Sequence, residues 1–315
     1  MEIVIGVDVG KSYLDIAWDD QLVRTGNTKS DIKKFLNQLI KSTPCETLLV
    51  VCEATGGYER LLVKLLNQYK IGVHVAHPNK IRAFAKSKGL FAKTDKIDAR
   101  LIREYAILMR VKPDKVCVSQ TPEKIAQALK RRQQLIDDRS REQARVDKEM
   151  EPEVKRSIQS HIQWLNKAIE KIDKLFDNYR QDEAIKTGVD LLCSIPGIGK
   201  MTALALIAFL PELGTANHKQ LAALTGVAPF NRDSGKYRGK RFIQGGRAMM
   251  RKAIYMAAVA SLRWNPQLSA FYQNLIRRGK PVKVALVAVM RKLIAMANCV
   301  IKRQSPWIEI RPVQT

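Results

Sequence analysis

Four carboxylates stand where a cation could gather them. Asp8 closes the apolar run Ile3-Val4-Ile5-Gly6-Val7, Glu53 closes the run Leu48-Leu49-Val50-Val51-Cys52, and Asp95 and Asp98 open a helical pattern over 95–108. A carboxylate at the tip of a buried strand is held rigidly beside the crevice where α/β sheets take ligands. Residues three apart on a helix share one face. Such acids repel one another unless a cation compensates, and oxygen-only donors favour Mg²⁺ or Mn²⁺ over zinc. A pair of these ions would activate an attacking oxygen and stabilise the leaving oxygen of a phosphodiester. Each acid also has an ordinary explanation: Asp95 as a helix cap, Asp98 as a first-turn acid, Asp8 as a turn residue, Glu53 as a partner of Arg60. Only the joint pattern points to a metal site. Asp15, in the following strand, reads as a surface acid.

Two further groups carry chemistry of the opposite charge. In Ser194-Ile195-Pro196-Gly197-Ile198-Gly199-Lys200, glycines between two helical patterns allow a tight turn whose amides face a phosphate at a helix start. Gly197, Gly199 and Lys200 are the candidates, in a helix-hairpin-helix; an ordinary turn in a core is the alternative. Asn231 to Arg241 continues into Gly245-Gly246-Arg247, and between Lys236 and Lys252 there are seven basic residues and no acid. Arg232, Lys236, Arg238, Lys240, Arg241 and Arg247 suit a phosphate backbone. Ser234, among these cations, has a hydroxyl that could attack phosphorus while they stabilise the developing charge, although loop serines are common. His74 and His77 have no Cys or carboxylate close by in sequence, which argues against zinc.

The elements that must position these groups fall into three stretches. Over 1–115, short β-rich runs alternate with helical patterns: strands at 1–9, 13–18, 47–52 and 71–76, helices at 31–40 and 59–69. This is an α/β, ribonuclease-H-like order. Over 120–183 there is no glycine between Glu123 and Arg180, and Ile158, Ile162, Leu165, Ile169, Ile172, Phe176 and Tyr179 recur at intervals of four and three. That is the seam of a coiled coil or antiparallel helical hairpin, turning near Pro152. From 184 to 315 the pattern is mostly helical, with apolar helices at 203–210, 253–262 and 281–301.

Composition bounds the rest. The 315 residues carry a net charge of +25, and from Cys193 onward 20 Lys+Arg face three acids, a net of +17. A polyanionic partner follows. Five scattered cysteines without a CxxC pair, and an opening without a secretory pattern, suggest a reducing cytosol. The apolar uncharged stretches 201–211 and 253–262 are about half the ~20 residues that cross a bilayer, so no membrane is expected.

The blocks Gly6-Val7-Asp8-Val9-Gly10-Lys11, Cys52-Glu53-Ala54-Thr55-Gly56, Lys93-Thr94-Asp95-Lys96-Ile97-Asp98-Ala99-Arg100 and Ser194-Ile195-Pro196-Gly197-Ile198-Gly199 resemble, in this order, the DEDD-type insertion-sequence transposases related to the Piv DNA invertase, which are bridge-RNA-guided serine recombinases. The resemblance implies a Holliday-junction-resolvase-like version of the ribonuclease H fold over 1–115, with the metal-binding acids at Asp8, Glu53, Asp95 and Asp98. It implies a coiled-coil domain over 120–183 and a transposase domain over 184–315, whose nucleophilic serine falls on Ser234. It further implies Mg²⁺ (or Mn²⁺), dimers that pair into tetramers, and a structured noncoding guide RNA that base-pairs with donor and target DNA. The implied active site is composite, with acids of one subunit meeting the serine of another, and the implied setting is the prokaryotic cytosol. The competing expectations are a metal-dependent structure-selective endonuclease that uses water, and an architectural nucleic-acid binder.

Overall fold

Strand alternation in the first part of the chain sorts its side chains onto two faces, and both faces are covered. The computed structural model describes residues 3–90, 95–114, 121–146, 148, 150–231, 239 and 241–308, without side-chain detail at 95–97. The chain divides into two compact units, Met1–Val116 and Cys117–Thr315.

The first unit runs β1 (Ile3–Val9), β2 (Tyr13–Trp18), β3 (Gln21–Gly26), α1 (Lys29–Ser42), β4 (Leu48–Glu53), α2 (Arg60–Gln68), β5 (Gly72–Ala76), α3 (Pro78–Ser87) and α4 (Asp95–Leu108). Its sheet has the order β3-β2-β1-β4-β5. The first three strands form an antiparallel meander, while β4 and β5 run parallel to β1. Odd-numbered residues of β1 (Ile5, Val7, Val9) and even-numbered residues of β4 (Leu48, Val50, Cys52) pack under α1 and α2. Leu49, Val51 and Ala76 face the other way and pack under α3 and α4 through Ile81, Phe84, Ile102 and Tyr105. Because β4 is covered on both faces, its sequence is continuously apolar rather than alternating.

Two elements depart from the expected order. β3 was not anticipated: it is an edge strand whose residues are mostly exposed or half-exposed, so it lacks an apolar signature. The other is α3, a helix outside the expected set: β5 ends at Ala76 and Pro78 starts the helix. His77 caps that helix, its Nδ1 accepting from the Asn79 amide at 3.1 Å, and Pro78 takes the first position, where no amide is needed.

The second unit opens with α5 (Thr121–Val146) and α6 (Pro152–Tyr179). Arg132 meets Asp173 at 2.6 and 3.2 Å, Arg139 meets Asn166 at 2.9 Å, and Glu142 meets His161 at 3.2 Å. Rising numbers on one helix against falling numbers on the other make the pair antiparallel. Leu135, Leu165 and Ile169 form its own small core, while Ile125, Leu129 and Phe176 at its base join the main core.

That core gathers α7 (Glu183–Cys193), α8 (Lys200–Phe209), α9 (His218–Leu224), α10 (Ala248–Trp264), α11 (Pro266–Arg277) and α12 (Val282–Arg303), with the short strands β6 (Pro229–Phe230) and β7 (Phe242–Ile243) beside them. By length and composition α12 could cross a membrane. Here it buries Ala285, Leu286, Val289, Met290, Leu293, Ile294, Ala297 and Val300 inside the unit, as a core helix does.

Candidate active site

The register of β1 and β4 decides where the first two acids go. The strands are parallel and Val7 pairs with Cys52, so the next residues, Asp8 and Glu53, lie side by side at one sheet end. Adjacent strands are about 4.8 Å apart. Val7 and Cys52 belong to the core beneath α1 and α2, so alternation turns Asp8 and Glu53 toward the face that α4 covers. Both are half-buried.

Gly6 explains how α4 comes close enough to contribute. A methyl group on Gly6 would meet the Ala99 carbonyl and lie 2.8 Å from Arg103 Cβ, so helix and strand touch backbone to backbone. The Arg103 side chain reaches back to donate to the Val4 carbonyl at 3.0 Å. Ala99 over Gly6 and Arg103 toward Val4 make α4 antiparallel to β1, and its first turn therefore points at the Asp8 end. Asp98, half-buried, stands in that turn. Asp95 is the first residue of α4, but its side chain lies outside the described residues. Among the described residues, no three acids are drawn into a metal-binding cluster. Asp8 and Glu53, neighbours at the sheet end, are carboxylates, the kind of donor a hard divalent cation takes.

Asp15 corrects an expectation. It pairs directly with Asp8 across β1 and β2 and is only 2% exposed. Its cross-strand partner Arg24 donates to both carboxylate oxygens, Nε at 2.8 Å and Nη2 at 2.7 Å. The Arg24 guanidinium also lies over the Tyr13 ring, 4.0 Å from its centroid. A buried carboxylate beside the site is thus neutralised by a bidentate partner. The signal was the period of two: Asp15 shares the face of Ala17, which is fully buried.

The loop after Glu53 is locked by another acid. Glu59 Oε2 accepts from the Gly57 amide at 2.8 Å and from the Thr55 amide and hydroxyl at 3.1 and 3.0 Å. Burial favours the neutral carboxyl, but these bonds and its own backbone amide outweigh it and hold Glu59 below the usual range. Asn27 donates to the carbonyls of Gly10 and Tyr58, at 2.9 and 3.2 Å, and so ties the turn after β1 to this loop. Burial, reinforced by Glu59 and Asp114, pushes the neighbouring Cys52 thiol up to about 12, which excludes it as a nucleophile. His74 does have a carboxylate partner: its Nδ1 lies 2.8 Å from Asp114, forty residues away in sequence.

In the second unit, the turn between α7 and α8 is partly a packing device. Ile195 and Ile198 are buried. Gly197 has φ +102°, and a Cβ there would lie 2.5 Å from Ser261 Cβ on α10. Gly197 therefore serves close packing. Gly199 has nothing within 4 Å of its Cβ position, and Lys200 is exposed.

The segment holding Ser234 is bracketed by β6 and β7, with Phe230 paired to Phe242. Arg232, Ser234, Lys236, Arg238 and Lys240 lie outside the described residues; Arg241 is exposed. Past β7 the chain is pinned. Gly226, Gly245 and Gly246 have φ near +70°, and a side chain on Gly246 would strike the Gly226 backbone. Arg251 donates to the Gly245 carbonyl at 2.7 Å. Arg247, expected among the phosphate-facing cations, is otherwise engaged: both terminal nitrogens bond Glu212 at 2.6 Å, and one also reaches the Phe209 carbonyl at 2.9 Å. A guanidinium held by a carboxylate is a poor phosphate ligand, so Arg247 anchors the loop instead.

Residues 5–151 match the IS110-type DEDD transposase family, and residues 189–273 match the transposase IS116/IS110/IS902 family. The chain belongs to the IS110-type transposases. It is similar to the pilin gene-inverting proteins of Moraxella lacunata and Moraxella bovis, 28% identical to each over 96% of this chain and 97% of theirs. It is also 30% identical, over 34% of this chain and 27% of the other, to the insertion element IS110 uncharacterized 43.6 kDa protein of Streptomyces coelicolor. The transposase is thus an enzyme of DNA transposition and recombination. Its DEDD match contains all four acids, and the second match contains both the 194–200 turn and Ser234.

Proposed function

We propose that this transposase cuts and rejoins the donor and target DNA of a mobile element, through a covalent bond to Ser234, with Asp8, Glu53, Asp95 and Asp98 holding Mg²⁺ or Mn²⁺. The observation that carries this reading is the sheet end, where Asp8, Glu53 and the first turn of α4 meet. The sheet order, an antiparallel meander followed by two parallel strands, supports a ribonuclease-H-like assignment for 1–115. The antiparallel pair α5–α6 supports an arm over 120–183 that joins two subunits, and residues 184–315 form the transposase domain. The bound cation would polarise the phosphodiester and stabilise its developing charge. The protein's own part is to hold the carboxylates in register and to keep Asp15 paired with Arg24.

The Ser234 hydroxyl bonds to phosphorus, the P–O bond to one strand end breaks, and that end takes up the proton. Attack by a strand end reverses the step and rejoins DNA. Cations at Arg232, Lys236, Arg238, Lys240 and Arg241, with Gly199 and Lys200 at the α8 start, hold phosphates. Such contacts carry no sequence information, so a structured noncoding RNA that pairs with donor and target supplies the specificity.

The test is trapping. Incubation with element-end DNA, its RNA and Mg²⁺, followed by denaturation, leaves a protein–DNA adduct that Ser234→Ala abolishes and Asp98→Asn reduces by at least 100-fold, on the order of what a positioned charge contributes. Metal-dependent nicking by Ser234→Ala would replace the serine step with attack by water.

A further inference from the structure

Three contiguous depressions run along one face of α12. The first, of about 670 Å³, lies between the α9 start and the end of α12, with His218, Lys302 and Arg303 on its rim. The second, of about 260 Å³, carries Arg291 and Lys292 beside Phe271. The third, of about 300 Å³, continues toward Trp307. Ala295 lines all three, so they form one groove. Among the described residues that line it, none is acidic.

The spacing on α12 is what a polyanion would need. Arg291 and Lys292 stand about eleven residues before Lys302 and Arg303, roughly 16 Å along the helix. Small residues, Ala295 and Cys299, form the floor between them. Phosphates of one duplex strand follow at about 3.4 Å along the axis, so the groove spans several of them. Lys302 and Arg303 also complement the carboxyl end of the α12 dipole. Arg291 and Lys292 sit in mid-helix, where that explanation does not reach.

The walls are built rather than draped. Asn298 accepts from the Gly214 amide at 2.6 Å and donates to the Ala216 carbonyl at 3.1 Å, fixing the turn before α9 against α12. Asn217 then caps α9, reciprocally with Gln220. On the other wall the Lys292 ammonium lies 3.9 Å from the Phe271 ring centroid. A cation fixed in this way, as Lys292 is, loses less freedom when a ligand arrives.

We propose that this groove is a second nucleic-acid site, which grips the phosphodiester backbone of DNA or of structured RNA, apart from the Ser234 loop and the 194–200 turn. It rests on the reading of the chain as a protein that holds nucleic acid.

The test uses the full chain with Arg291, Lys292, Lys302 and Arg303 changed together to Ala. Binding to a 30-bp DNA duplex and to an RNA stem-loop is measured from 50 to 300 mM salt. A charge-matched control changes the exposed Lys33, Lys34, Lys41 and Lys64 to Ala, and circular dichroism melting confirms that both variants fold. The expected result is a slope of log K against log salt shallower by about two or more, and affinity lower by roughly tenfold or more, in at least one arm and not in the control. The arm that responds identifies the backbone held. Unchanged binding in both arms, or an equal loss in the control, overturns the groove while leaving the proposed function standing. Failure of the unaltered chain to bind either nucleic acid overturns both.

Discussion

The sheet end of the first unit and the stem that brackets Ser234 in the second hold their candidate groups by different means. At the sheet end, Asp8 and Glu53 are positioned by strand register and by a glycine that lets a helix touch a strand. At the stem, two residue pairs form the ladder among the described residues, and position comes from glycines in the left-handed region, the Arg247–Glu212 fork and Arg251. A metal site needs oxygens fixed to a fraction of an ångström, which regular elements supply. In the proposed function, the segment that brings the nucleophile rests on this secure base.

The contrast predicts unequal costs. The largest is expected at Gly6: Gly6→Ala forces α4 off β1, costs about 3 kcal/mol in urea unfolding, and removes DNA cutting. Retained cutting by a well-folded Gly6→Ala would show that the α4 acids are not needed at the sheet end.

Next comes the guarded carboxylate. Arg24→Met leaves Asp15 buried without compensation and costs about 2 kcal/mol, discounted because Arg24 is half exposed, whereas the double change Asp15→Leu with Arg24→Leu comes within about 1 kcal/mol of the parent. Equal loss in single and double variants would mean that the pair matters only for packing.

The smallest effect is expected at the stem. Arg247 holds the Glu212 carboxyl below its ordinary 4.5, against burial, which alone would raise it. A depressed carboxyl contributes fully above its ordinary value and loses that contribution as pH falls through the lowered one. Glu212→Gln should therefore cost about 1 kcal/mol at pH 7, a discounted value for a half-exposed pair, and less at pH 3. Urea midpoints at the two pH values measure it, and an equal loss at both would assign Glu212 a purely steric role.

What the sequence disclosed follows from how locally each feature is encoded. The start of α4 at Asp95 and the strand at β4 were legible because a helix-start acid and a continuous apolar run are local signals. The five-stranded order was only partly legible: β3 pairs as an exposed edge and carries no apolar period. The burial of Asp15 depends on α4, some eighty residues later. The engagement of Arg247 depends on Glu212, 35 residues earlier, so composition alone placed it among the phosphate-facing cations. His74 and Asp114 likewise meet only through the fold.

That last pair has a consequence for assembly. After α4 the chain returns along β5: the Asp114 amide donates to the Val73 carbonyl and its carboxylate accepts from the Val75 amide, each at 2.8 Å. The outer margin of the sheet is thereby occupied by the protein's own backbone and one side chain. That occupied margin opposes a continuous intermolecular sheet, a route by which exposed margins nucleate aggregates. A second copy pairing on this side would first have to displace both bonds.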